Sequence, residues 1–167
     1  MLTETMHEYA ELTGLFPDKG YILVIIDTFS RWTEMFWCKD SNTESAADCL
    51  LAHFGRFGSP NMIRSDRGSH FANDYIKEFL DLTDTSHNLT LAYSSQKNAI
   101  VERVNKEVNR HLRGLVFDTP SLKGYAKCIP FVQRIINSSV NRRTYASPAS
   151  ILFADKLDLN RGICYHC

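Results

Sequence analysis

Two carboxylates in this 167-residue chain stand in settings that suit chemistry. Asp66 closes a short apolar stretch in IRSDRGSHF, and Glu102 lies near the start of the amphipathic run VERVNKEVNRHLRG, with 35 residues between them. Hard divalent ions such as Mg2+ take oxygen ligands and are commonly held by one or two carboxylates together with phosphate oxygens. The pair therefore suits metal-assisted phosphoryl transfer, as in a nucleic-acid-processing core. Each acid also has a plainer reading. Asp66 precedes Arg67-Gly68 and fits a turn, and a single glutamate on a helix is by default solvated.

The hydrophobic pattern indicates the elements that must position these acids. Glu8 to Thr13 reads as a short strand, followed by the turn-rich GLFPDKG. Tyr21 to Ile26 is a continuous β-branched run of the kind buried on both faces, and Trp32 to Cys38 is a third strand. Short links between the three predict an antiparallel meander. Ala47, Leu50, Leu51, Phe54 and Phe57 fall at helical spacing between a cap at Asn42 or Thr43 and a stop at Gly58-Ser59-Pro60. Met62 to Ser65 then follows a helix, which predicts a parallel neighbour, with Asp66 at its end. Asn73 to Leu82 reads as a helix, Leu89 to Ala92 as a strand and Tyr93 to Asn98 as a polar loop. Beyond it, Val101, Val104, Val108, Leu112 and Leu115 form an apolar stripe, and Glu102, Lys106, Asn109 and Arg113 line up beside it. Lys123 to Asn141 and Ser147 to Phe153 read as two further helices, with Pro148 acceptable in a first turn.

Composition narrows the partners. Nineteen basic against nineteen acidic residues give no net basic signal, so a grip on DNA has to come from a local patch. The longest apolar run has six residues, far short of the roughly 20 that span a bilayer, and the first dozen residues carry no cation of a leader peptide. No membrane partner is expected. Five cysteines, an odd number without framework spacing, read as thiols of a reducing compartment. The ending Cys164-Tyr165-His166-Cys167 lacks a second ligand pair for structural zinc. One domain over 1–163 with a tail at 164–167 is expected.

The order strand-strand-strand-helix-strand-helix-strand-helix predicts an α/β domain of RNase H-like fold. Its mixed five-stranded sheet would combine an antiparallel meander with parallel strands, flanked by helices. The segments YILVIIDTFSRW, IRSDRGSHF, AYSSQKNAIVERVNKEVNRHLR, VQRIINSSVNRR and SPASILF resemble the catalytic core of retroviral-type integrases, most closely those of gypsy-type LTR retrotransposons. The resemblance implies DNA integration by a polynucleotidyl transferase, in which water trims a 3′ end and the new 3′ hydroxyl attacks target DNA. It matches Asp66 and Glu102 to the second and third catalytic acids, and Glu11, where the family has aspartate, to the first. These three are the expected ligands of two Mg2+ (or Mn2+) ions, which in such chemistry sit about 3.5–4 Å apart. Asp27 is expected to be an Asx-turn residue instead.

The resemblance further implies DNA contacts from Gln96, Lys97 and Asn98 of the loop and from Arg103, Lys106 and Arg113. Ala99, standing where the family has glycine, would stiffen the turn. A homodimer, no small-molecule cofactor and an intracellular setting, nuclear or cytoplasmic, also follow. Neither the family's zinc-binding domain nor its C-terminal domain is recognisable. Alternatives are a catalytically silent nucleic-acid- or protein-binding module on the same fold, and a nuclease unrelated to transposition.

Overall fold

A computed structural model of the chain describes residues 4–11, 20–89, 95–118, 125–142 and 144–154. At 4–11, 95–100, 102, 116–118 and 125 the description is of the backbone. The strands are β1 (Glu4–Glu11), β2 (Tyr21–Asp27), β3 (Thr33–Cys38), β4 (Met62–Ser65) and β5 (Ser86–Leu89). The helices are α1 (Thr43–Phe57), α2 (Asp74–Leu82), α3 (Ser95–Asp118), α4 (Tyr125–Ser138) and α5 (Pro148–Phe153).

All five strands join one sheet in the order β3-β2-β1-β4-β5. β2 runs antiparallel to both β1 and β3, whereas β4 is parallel to β1 and β5 to β4. The switch has a physical cause. Short links can only reverse the chain, while α1 and α2 are long enough to carry it back to the same end of the sheet.

Residues Ile22 to Ile26 of β2 are each at most 1% exposed, because helices cover both faces of the sheet. Ile22, Val24 and Ile26 pack with Met35 against Val101, Val108 and Leu112 of α3 and Cys128, Ile129 and Val132 of α4. Leu23, Ile25 and Ile63 face the other way, onto Ala46, Leu50 and Phe54 of α1 and Ile76 and Leu80 of α2. Burying each such side chain stabilises the fold by about 1.5–3 kcal/mol. Alternate positions of β2 are thereby committed to opposite helical layers.

Local signals start and stop the helices where the sequence suggests. The Asn42 side chain accepts the Ser45 N–H at 2.8 Å, and Gly58, at φ 81°, ends α1 in a conformation that costs a glycine little. Asn73 caps α2 through the Ile76 N–H at 3.0 Å, and Ser147 caps α5 through Ser150. α4 does more than cover a face. Asn137 accepts the Thr33 N–H at 2.9 Å and donates to the Thr33 carbonyl at 2.7 Å, while Gln133 accepts the Met35 N–H at 2.8 Å. Two side-chain amides four residues apart thus satisfy backbone groups on the free side of β3.

Four elements differ from expectation, one of them α4, which ends at Ser138 rather than Asn141, with residues 123 and 124 outside the described ones. β1 spans Glu4–Glu11 rather than Glu8 to Thr13, and residues 12 and 13 lie outside the described ones. The last strand is Ser86–Leu89, not Leu89 to Ala92, whose final three residues are likewise outside. α3 begins at Ser95, so Gln96, Lys97 and Asn98 stand in its first turn and not in a loop. Polar residues suit a first turn, where backbone N–H groups lack intrahelical acceptors. The Cys164 to Cys167 ending is outside the described residues.

Candidate active site at the β1–β4 edge of the α3 layer

Asp66 follows the last residue of β4, where the chain leaves the sheet for the turn leading to α2. Its Oδ1 accepts the Gly68 N–H at 2.9 Å, which fixes one carboxylate oxygen and leaves Oδ2 without a recorded partner among the described residues. The turn therefore orients this acid as well as containing it. Gly68 is required by space: a Cβ there would lie 2.6 Å from His70 Cε1, 2.8 Å from His70 Nε2 and 3.0 Å from Asp66 Oδ1. Burial pushes the His70 imidazole below its ordinary pKa, and the Asp66 charge pulls the other way. A second chain of contacts runs behind the acid. His87 Nε2 lies 2.9 Å from Ser65 Oγ, which donates to the Asp66 carbonyl at 3.0 Å, so β5 braces the backbone at residue 66.

The side chains of Glu11 and Glu102 lie outside the described residues, but their backbone positions are defined. The parallel β1–β4 ladder ends at His7↔Ser65, and Glu8 and Asp66 are the residues that directly follow its last pair. Glu11 is three residues farther along. In the antiparallel ladder Glu8 stands opposite Val24 and Glu11 opposite Tyr21. Val24 belongs to the cluster under α3 and α4, whereas Tyr21 packs against the cluster under α1 and α2. Directly opposed residues share a face of a sheet. The register position of Glu8 is thus on the α3 side and that of Glu11 on the opposite side.

Residue types alone do not choose between Glu8 and Glu11, because the choice turns on which residue of β2 stands opposite each. The pairing partner that fixes the parity, Val24, is not legible from residue types. α3 carries Glu102 one residue after the buried Val101, which packs against β2. Farther along it, Arg103, Lys106 and Arg113 are exposed, and no ion pair with a described residue engages them. Arg110, by contrast, is paired with Glu107. The side chains of Gln96, Lys97 and Asn98 are outside the described residues.

Two other buried acids have structural duties. Asp27 Oδ2 accepts from both the backbone N–H and the hydroxyl of Ser30, at 2.7 and 2.5 Å, closing the turn in which Arg31 takes φ 67°. This is the Asx-type role expected for it. Glu34 on β3 is clamped by His53 Nδ1 at 2.7 Å and Arg56 at 3.1 Å beneath α1, away from the α3 layer.

Comparison with known proteins identifies the family. The family model for the integrase core domain matches residues 10–95. The Gag-Pol polyprotein of feline leukemia virus is 34% identical over 120 residues, 71% of this chain but 7% of the polyprotein. The Pol polyprotein of radiation murine leukemia virus (strain Kaplan) is 34% identical over 107 residues, 64% of this chain and 18% of the polyprotein. The chain thus spans a small fraction of these relatives.

Among solved structures, the HTLV-2 integrase catalytic core domain in complex with magnesium, in its trimeric form, superposes with a TM-score of 0.78. It is 19% identical, and the match covers 90% of this chain and 95% of that one. A simian T-cell lymphotropic virus intasome in complex with PP2A regulatory subunit B56 gamma gives a TM-score of 0.84 at 18% identity, covering 94% of this chain and 56% of that one. At those identities the structures speak for the fold alone, the RNase H-like α/β core. Together with the sequence matches, they establish that this chain belongs to the integrase core domain family.

Proposed function

We propose that this domain is the catalytic core of a metal-dependent polynucleotidyl transferase that processes and joins DNA ends for an LTR element, of the gypsy type its motifs resemble. The observation that carries the reading is the sheet register. It supports a glutamate of β1 as the immediate neighbour of Asp66, on the face covered by the helix that bears Glu102. By that register Glu8, rather than Glu11, is the better candidate for the first acid.

The donor set fits a hard divalent cation, since carboxylate oxygens are its preferred ligands and Asp66 keeps one oxygen free of described partners. Asp66, Glu102 and Glu8 would hold Mg2+ or Mn2+, with Glu11 as the alternative first ligand. When bound, such ions polarise the phosphodiester and favour the attacking and leaving oxygens of an in-line displacement. The chain supplies the rest. Gly68 and the His87–Ser65 contact hold Asp66 in one orientation, and misplacing a reacting group by about 1 Å can cost on the order of 100-fold in rate. Arg103, Lys106 and Arg113 offer phosphate contacts that position DNA without reading its sequence. Gln96, Lys97 and Asn98, in the first turn of α3, lie at the end of that helix nearer Glu102.

A homodimer through the core is part of this reading, supported by the dimeric form described for the HTLV-2 integrase catalytic core domain. So is an intracellular setting, nuclear or cytoplasmic. A second reading, a catalytically silent binding module, is favoured by one observation: whichever acid of β1 stands first, Glu8 or Glu11, it is a glutamate where the family has aspartate.

DNA nicking and disintegration assays with Mg2+ and with Mn2+ test the proposal on the wild type and on Asp66→Asn, Glu102→Gln, Glu8→Gln and Glu11→Gln. Activity lost in the first three and retained in Glu11→Gln is the expected pattern. Activity that Asp66→Asn or Glu102→Gln leaves intact would refute the site. Loss in Glu11→Gln with retention in Glu8→Gln would return the first position to Glu11. A wild type inert with both ions supports the silent module.

A further inference from the structure

The side chains of Cys38 and Cys49 meet beneath the sheet at a distance that nothing in the integration chemistry uses. Cys38 ends β3, Cys49 lies on α1, and their sulfurs are 3.6 Å apart with no bond between them. Both are buried, at 5% and 8% exposure, within the cluster that joins the sheet to α1 and α2. We propose that Cys38 and Cys49 form an oxidisable dithiol site, whose product is an intramolecular disulfide stapling the end of β3 to α1.

The geometry asks for little. The sulfurs must close from 3.6 Å to the roughly 2.05 Å of a disulfide, which side-chain rotation can supply across a contact already made. The oxidant class is a hydroperoxide. In the first step one sulfur, as its thiolate, attacks the peroxide, giving a sulfenic acid and releasing water or an alcohol. In the second, the other thiol displaces the hydroxyl as water and the S–S bond forms. With hydrogen peroxide the sum is two thiols and one peroxide going to one disulfide and two waters, the sulfurs losing two electrons and the peroxide gaining them.

The setting makes this a slow site rather than a fast sensor. The hydrogen bond with Cys38, and then burial, push the Cys49 thiol well above its ordinary pKa, and the thiolate is the reacting form. The pair therefore stays reduced until exposure to peroxide is sustained. Cys128, the other described cysteine, is buried in the opposite cluster under α3 and α4 and offers no competing partner among the described residues.

The test treats the folded 167-residue chain with hydrogen peroxide, alkylates remaining thiols under denaturing conditions, digests without reductant and maps the peptides by mass. The expected product is a cross-linked pair of peptides carrying Cys38 and Cys49, lighter by two hydrogens than the reduced pair and released by dithiothreitol. It should be absent from Cys49→Ser. The ring closed is short, which limits the entropic gain, and the oxidised protein should melt about 5 °C above the reduced one. Recovery of both residues as alkylated thiols, or their separate conversion to sulfinic acids, overturns the proposal. So does a cross-link formed equally well in denaturing urea, because proximity would then owe nothing to the fold.

Discussion

Replacing Gly68 by alanine introduces a methyl group where the fold leaves no room, and the cost can be worked from three distances. The new carbon would stand 2.6 and 2.8 Å from two ring atoms of His70 and 3.0 Å from Asp66 Oδ1. To reach an ordinary contact of about 3.4 Å the imidazole must retreat by roughly 0.8 Å. It cannot do so freely, because it packs edge-on against Phe71 at 4.5 Å between centroids, and Phe71 is fully buried.

Overpacking of this kind costs about 1–3 kcal/mol, a drop in melting temperature of about 3–10 °C for a domain of this size. Gly68→Ala, His70→Ala and the double variant form a thermodynamic cycle by urea unfolding. The double variant should recover at least half of the glycine variant's loss, since the atoms in the way are gone. Any cleavage activity should fall in Gly68→Ala, because Asp66 Oδ1 is pushed from its bond to the Gly68 N–H. Strict additivity of the two single costs would refute the reasoning.

Asn137→Leu should destabilise by about 2–5 kcal/mol in urea titrations, since it strips partners from both the N–H and the carbonyl of Thr33, a residue with 0% exposure. Asp27→Asn keeps an acceptor for Ser30 and should leave cleavage unchanged, whereas a loss matching Asp66→Asn would make Asp27 part of the site. Burial holds His87 and His111 below the ordinary histidine pKa, so the unfolded chain takes up their protons first. Stability from these groups is complete above about pH 6.5 and is lost as the pH falls through their folded values; urea midpoints between about pH 7 and 5 should show the decline, and less of it in His87→Ala.

Elements with strong local punctuation were legible from residue types. Asn42 and Gly58 bracket α1 because a side-chain cap and a positive φ are local facts. β5 was displaced because Ser-His-Asn-Leu has little strand character of its own; its place is fixed by pairing with β4, a long-range fact. The same divide runs through the candidate site. Asp66 and Glu102 could be singled out by spacing and flanking residues. The first acid could not, since choosing between Glu8 and Glu11 requires knowing which residue of β2 stands opposite each.

The amides of Gln133 and Asn137 have a consequence for how copies of this domain can associate. A sheet has two borders, and here α4 bars the one at β3, leaving, among the described residues, the four-residue β5 as the border where another strand could be added. A molecule with a single free border can join only one other in this way, and the union consumes both. Growth by strand addition therefore stops at a pair, and the endless ribbons that two open borders would permit are denied to it.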